Sequence, residues 1–169
     1  MIQGKYLAGK DDLGPVYELR KEVFQRELGL AAEMDRDGKD DLAVHAIACL
    51  GENTVAAGRI FFDGERFTIS HVAVKKEFRR QGYGDFVVRL LINRAMLAGV
   101  DDIYADVRMA DIQEEGDALA LKRQPAQALL EKIGFAVSGE PYEEGGCIWL
   151  PMCLKKESLH KCCANETKI

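Results

Sequence analysis

Val72-Ala73-Val74-Lys75-Lys76-Glu77-Phe78-Arg79-Arg80-Gln81-Gly82-Tyr83-Gly84-Asp85 is the stretch on which the fold of this chain turns. An apolar, strand-forming run from Phe67 to Val74 enters a loop carrying two glycines. The loop opens directly onto Asp85 to Ala98, apolar on nearly every side and so expected to be a well-buried helix. The first N–H groups of a helix have no acceptor within it, and its dipole is positive at that end. Glycine lets such backbone approach an anion with no Cβ in the way, while Arg79 and Arg80 add charge and paired donors. Together these parts predict a phosphate-binding turn.

Two familiar phosphate loops do not fit. A Walker loop needs a lysine followed by serine or threonine after the last glycine, and Gly84 is followed by Asp85. A dinucleotide fingerprint needs a third glycine, where Gly82-Tyr83-Gly84-Asp85-Phe86-Val87 has valine.

Working outward, Met1 to Leu7 is expected as a first strand. A helix follows, capped by Asp11-Asp12 with Pro15 in its first turn, and runs to about Leu28. Val16, Leu19, Val23, Phe24 and Leu28 form its apolar face. Gly29 to Asp41 reads as a polar, acidic loop. Strands are expected at Ala43 to Leu50, Val55 to Asp63 and Phe67 to Val74, with turns at Gly51-Glu52-Asn53 and Gly64-Glu65. Beyond the long helix, Gly99 is a stop and Ile103 to Arg108 a strand. Pro125 to Lys132 is a short helix halted by Gly134, and Phe135 to Gly139 and Gly146 to Leu154 are closing strands. Mainly antiparallel strands followed by a strand–loop–helix–strand unit define a mixed α/β class.

The 169 residues suit one domain, with 47% hydrophobic and 30% charged side chains. A formal charge of −5 argues against a nucleic acid partner. No apolar run approaches the roughly 18 residues that would cross a bilayer. Met1-Ile2-Gln3-Gly4-Lys5 lacks the apolar stretch of a secretory leader, so a cytoplasmic protein is expected. The five cysteines, Cys49, Cys147, Cys153, Cys162 and Cys163, are odd in number and irregularly spaced, unlike a disulfide framework. The first three lie in apolar strands and read as small buried side chains. His160-Lys161-Cys162-Cys163 has no partner pair at zinc spacing, so no metal is expected and 156–169 reads as a tail.

The loop also resembles the Arg/Gln-x-x-Gly-x-Gly/Ala turn of the GNAT acetyltransferases, as Arg79-Arg80-Gln81-Gly82-Tyr83-Gly84 after a Val-x-Val strand end. Arg20-Lys21-Glu22-Val23-Phe24 resembles that family's first helix. Glu131-Lys132-Ile133-Gly134-Phe135 resembles its Glu-Lys-Leu-Gly-Phe signature, and Ser138-Gly139-Glu140-Pro141-Tyr142 follows its usual course. The resemblance implies one domain over residues 1–155, with a mixed, mostly antiparallel sheet flanked by helices. Its central strands, here Phe67 to Val74 and Ile103 to Arg108, would splay apart around acetyl-CoA. Pantetheine amides would bond the backbone of Val72, Ala73 and Val74. The pyrophosphate would sit on Arg80, Gln81, Gly82, Tyr83, Gly84 and Asp85, beside Arg79.

The activity so implied is transfer of an acetyl group from acetyl-CoA to a primary amine of a small molecule or peptide, with room for a homodimer. The alternative is a GNAT-like module that binds acyl-CoA with little turnover. Asp106, in Ala105-Asp106-Val107-Arg108, aligns with a glutamate base of some family members. It is the candidate base, one methylene short and needing a bridging water, or else a partner of Arg108. Leu130 stands where many members have a tyrosine acid and Arg123 where asparagine is common, which leaves the acid unassigned. On the substrate side, His71 precedes the Val72 to Val74 edge. Glu33, Asp35, Asp37, Asp40 and Asp41 crowd the loop that borders the acceptor in this family, where a negative field would gather cationic amines.

Overall fold

Strands form where branched and aromatic residues run between turns, and in the first hundred residues four do so. The computed structural model describes residues 1–111 and 124–158. They fall into two units divided between Val100 and Asp101. In the first unit β1 (Ile2–Ala8), β2 (Val44–Leu50), β3 (Asn53–Phe62) and β4 (Phe67–Val74) pair antiparallel in that order.

Alternation along β3 places a helix on each face of this sheet. Ala57, with its neighbours Ile47, Cys49 and Ala73, packs against Val16, Leu19 and Val23 of helix α1 (Gly14–Arg20) and its continuation. Gly58, the next residue, faces Val87 and Leu91 of helix α3 (Tyr83–Leu97). A Cβ on Gly58 would lie 3.1 Å from Val87 and 3.2 Å from both Leu91 and Val72, so a side chain here would push α3 or Val72 back by a few tenths of an ångström.

The first helix opens with Pro15 in its first turn as expected, but its N-cap is Leu13, not an aspartate, and Asp12 Oδ1 instead accepts the Gly14 N–H at 2.9 Å in the turn before it. It does not run on as one α-helix. Lys21–Glu27 is wound as a π-helix, in which Leu28 N–H reaches back to Val23 O at 3.1 Å. The wider turn rotates later residues off the stripe, and Leu28, expected on the apolar face, is 49% exposed. The acidic loop is also more ordered than its composition suggested. It contains the one-turn helix α2 (Ala32–Asp35) and a 3₁₀ turn at Asp40–Leu42.

In the second unit β8 (Cys147–Lys155) pairs antiparallel with β5 (Asp102–Asp111), β6 (Ala136–Val137) and β7 (Tyr142–Glu144). Helix α4 (Pro125–Ile133) ends at Gly134, whose φ of 118° lets Phe135 N–H return to Leu130 O at 3.0 Å. Strand β7 was not expected. It joins β8 through Gly145-Gly146, both at positive φ, the combination a two-residue hairpin turn requires. Cys49, Cys147 and Cys153 are buried and form no disulfide among the described residues. Lys156, at the start of the expected tail, donates its N–H to Asp101 O at 2.9 Å. His160, Cys162, Cys163 and Arg123 lie outside the described residues. Among those described, no helix is long and apolar enough to cross a membrane.

Candidate cofactor and acceptor site

Beyond β4 the chain makes a short 3₁₀ turn at Lys76–Phe78 and then takes two left-handed steps, Arg80 at φ 61° and Gly82 at φ 85°. Gly82 is the N-cap of α3, and its carbonyl accepts Phe86 N–H at 2.9 Å. The N–H groups of Tyr83, Gly84 and Asp85 therefore open the helix with no acceptor in the preceding turn. A Cβ built on Gly82 meets no protein atom within 4 Å. Phe78 packs edge-on to Tyr83, with centroids 6.1 Å apart, and pins the loop to the helix start. Asp85 would oppose a bound anion, but Arg89 one turn on donates to its Oδ2 at 2.7 Å. These residues fit a pyrophosphate at the start of α3.

The two loop arginines are not equivalent. Arg79 grips both oxygens of Glu27 at 2.6 Å and donates Nε–H to Val74 O at 3.0 Å. Its guanidinium braces the loop against the end of the first helix, and the bond to Arg79 holds the Glu27 carboxyl below its ordinary range. Gln81 likewise turns inward, donating to Glu77 O at 3.0 Å. Arg80 is exposed beside the start of α3.

Val72, Ala73 and Val74 end β4 just after a bulge. Ala57 pairs with Ala73 and Arg59 with Ser70, so Gly58 alone faces the two residues His71 and Val72. His71 takes the left-handed conformation, φ 53°, that the bulge requires. Its Nε2 lies 3.1 Å from Met34 O and its Nδ1 3.2 Å from Ser70 Oγ, with Phe24 edge-on to the ring at 5.7 Å. A carbonyl oxygen only accepts, so Nε2 carries the proton and Nδ1 receives the Ser70 hydroxyl. Burial, followed by the charges of Arg59 and Arg20, pushes His71 down to about 4, and the ring is neutral at pH 7.

Beneath this edge lies a cluster that the sequence reading did not find. Arg20 and Arg59 are each only 1% exposed. Arg20 donates Nε–H to Asp35 and Nη1–H to Asp40, both at 2.7 Å, and also bonds Asp35 O. Arg59 grips Asp37 with both terminal nitrogens, reaches Asp40 Oδ1 at 2.8 Å and donates Nε–H to Ser70 Oγ at 3.0 Å. Gln25 holds the second oxygen of Asp35 at 2.9 Å. Burial would raise Asp37 and Asp40, but the arginine bonds and charges outweigh it. Asp37 is held down at about 2 and Asp40 is also lowered. His45, fully buried with Nε2 3.2 Å from Asp40 O, is lowered by that burial.

Three of the five loop acids are thus engaged by buried guanidinium groups, while Glu33 and Asp41 are exposed. The open negative field expected of this loop is correspondingly smaller, and Asp35 faces inward rather than toward an acceptor. A signal was present. Arg20 stands on the stripe of Val16, Leu19 and Val23, and Arg59 stands inside an apolar strand, where a buried charge demands carboxylates.

Asp106 belongs to the second unit, on β5 opposite Pro151. Ala105 and Val107 are buried on the other face of that strand, and Asp106 shares its own face with Tyr104 and Arg108. Arg108 donates Nε–H to Cys147 Sγ at 3.4 Å. Leu130, at 6% exposure, is a buried apolar residue of α4.

A bulged strand, a left-handed glycine turn and a helix start with open N–H groups together make a concave end suited to an anionic group. The chain belongs to the acetyltransferase (GNAT) family, whose model matches residues 13–135. Among solved structures it is similar to Escherichia coli ElaA, at 22% identity and TM-score 0.73, covering 92% of this chain and 100% of that one. An acyl-CoA N-acyltransferase from Pseudomonas aeruginosa is 20% identical with TM-score 0.72, over 90% and 99% of the two chains. A GNAT family acetyltransferase from Elizabethkingia anophelis, solved with acetyl-CoA bound, is 15% identical with TM-score 0.63, over 91% and 97%. No curated protein matches the sequence.

Proposed function

We propose that the chain is an N-acetyltransferase that moves an acetyl group from acetyl-CoA to a primary amine of a small molecule or peptide. The observation that carries this is the start of α3, where Gly82 at φ 85° leaves the helix N–H groups open with no side chain before them. When bound, acetyl-CoA supplies the acetyl group as a thioester. The N–H groups of Tyr83, Gly84 and Asp85 hold its pyrophosphate, and Arg80 adds charge. The backbone of Val72, Ala73 and Val74 bonds the pantetheine amides, and an N–H near Val74 polarises the thioester carbonyl. An amine with a pKa of about 10 arrives protonated, so Asp106 serves as the base that accepts its proton through a water. Residues 1–155 are the catalytic domain of a cytoplasmic protein, with no nucleic acid or membrane partner and room for a homodimer.

A second reading, an acyl-CoA-binding module with little turnover, draws on Leu130. A buried leucine offers no proton to a departing thiolate. Free-thiol release across a panel of amines, paired with calorimetry of acetyl-CoA, separates the two. Acetylation of any amine supports the enzyme, whereas tight binding with no acetylation of any amine establishes the module. Failure to bind acetyl-CoA removes both.

A further inference from the structure

We infer that Arg59, acting through Ser70 and His71, is a positioning residue for acetyl transfer, tying the segment after the first helix to the bulged backbone of β4. The inference rests on the acetyl-transfer reading above and extends it to the buried Arg59 and the half-buried Ser70 and His71 beside Val72 to Val74. His71 is not glycine, yet it is held at φ 53°. Histidine reaches this region more readily than most side chains, but away from a turn it still needs its surroundings to hold it there.

Those surroundings form a one-directional chain of donors. Arg59 Nε–H donates to Ser70 Oγ, the Ser70 hydroxyl donates to His71 Nδ1, and His71 Nε2–H donates to Met34 O, at 3.0, 3.2 and 3.1 Å. The other nitrogens of Arg59 hold Asp37 and Asp40. One guanidinium therefore fixes residues 34–40 and the bulge at once. From the other side, Gly58 locks the bulge by its close approach to Val72, Val87 and Leu91. The residues that follow directly, Val72 to Val74, are those that face the thioester on the reading above. A shift of the bulge alters where their N–H groups point.

The charged groups around His71 are Arg59 from β3, Arg20 from α1 and Asp37 from the segment after α2, and Phe24 covers the ring. In this setting His71 positions by donating a proton it keeps, and it takes no part in proton transfer.

The test uses Ser70→Ala, His71→Gly and His71→Asn in the full chain. For each, kcat and amine KM are read by thiol release, acetyl-CoA affinity by calorimetry, and amide hydrogen exchange over residues 31–42 and 70–75 with no CoA present. His71→Gly accepts the backbone angle but removes the tether. It is expected to lower kcat/KM for the amine by ~10-fold or more, as displacement of reacting groups does. Acetyl-CoA affinity falls less than kcat/KM does, because the pyrophosphate contacts at the start of α3 are untouched while those of Val72 to Val74 loosen. Exchange quickens in both segments together. Asn tolerates the left-handed angle and offers an amide donor, so His71→Asn recovers part of the loss with the pH profile unchanged in shape.

Wild-type exchange and kinetics in both His71→Gly and Ser70→Ala overturn the inference. Loss of a pH limb in His71→Asn overturns it too, by making the ring an acid or base. If the wild-type protein acetylates no amine, the transfer reading falls and with it the catalytic part of this inference. The exchange readout then still shows whether the tether exists.

Discussion

Replacing Gly82 with alanine separates ligand binding from folding. The residue sits at φ 85°, and a Cβ there meets no protein atom within 4 Å. The folded chain therefore bears only the left-handed backbone, about 1–2 kcal/mol. At roughly 2–4 °C per kcal/mol for a domain of this size, Tm should fall by ~2–8 °C. Affinity should suffer more, because the methyl occupies the space through which phosphate oxygens approach Tyr83, Gly84 and Asp85. Each hydrogen bond to a charged oxygen contributes about 1.5–3 kcal/mol. Losing even one weakens acetyl-CoA binding by roughly 10- to 100-fold at about 1.4 kcal/mol per decade. Calorimetric titration beside a thermal melt reads both quantities on one sample. Wild-type affinity in a variant whose Tm has dropped as expected would mean that the ligand does not meet this helix start.

Arg80→Ala should weaken acetyl-CoA by about tenfold, the scale of one charge-assisted contact. Arg79→Ala should act through a looser loop, seen as faster amide exchange over residues 75–82 in the free protein. Asp106→Asn should lower kcat by ~100-fold or more with acetyl-CoA affinity unchanged, which stopped-flow acetylation and calorimetry together would read. His71 is held down from 6.5 to about 4, so between those values the unfolded chain takes up a proton that the folded one refuses. Stability conferred by the neutral ring is complete above about pH 6.5 and is lost as pH falls toward 4, on the order of 2–3 kcal/mol. Denaturant titrations at pH 7 and 4.5 should show this slope in the wild type and a shallower one in His71→Asn.

The start of α3 was legible because its parts lie side by side in the chain and each has a local reason. Strand residues, a glycine at a left-handed angle and an apolar helix follow one another within Phe67 to Leu97. Strand β7 escaped because Tyr142, Glu143 and Glu144 are all exposed and show no alternation, although Gly145-Gly146 marked its turn. The π-wound Lys21–Glu27 escaped for another reason, since an apolar stripe does not distinguish helix types until a residue such as Leu28 leaves it. The arginine cluster was illegible because its pairs are 15 to 22 residues apart, joined only once β3 lies beside the first helix. An acidic loop looks the same on paper whether water or a guanidinium satisfies it. Only the two arginines among apolar neighbours hinted at the second.

The cluster formed by Arg20, Arg59, Asp35, Asp37 and Asp40 also constrains how this protein can change over generations. Removing either arginine takes a guanidinium partner from the buried Asp35 or Asp40, at about 3–5 kcal/mol, much of the stability a domain has, whereas the more exposed Asp37 is cheaper to lose. Replacing the set together by apolar side chains of matching volume would cost far less. The four buried positions, Arg20, Arg59, Asp35 and Asp40, are therefore separated from their uncharged alternatives by a valley that single substitutions cannot cross cheaply. Descendants of this sequence should keep those four or lose them in concert, and a library randomised at one of them should return mostly the parent residue, with Asp37 freer to vary. Randomised jointly, the same positions should yield folded members with no charge among them, in which residues 31–42 pack by shape alone.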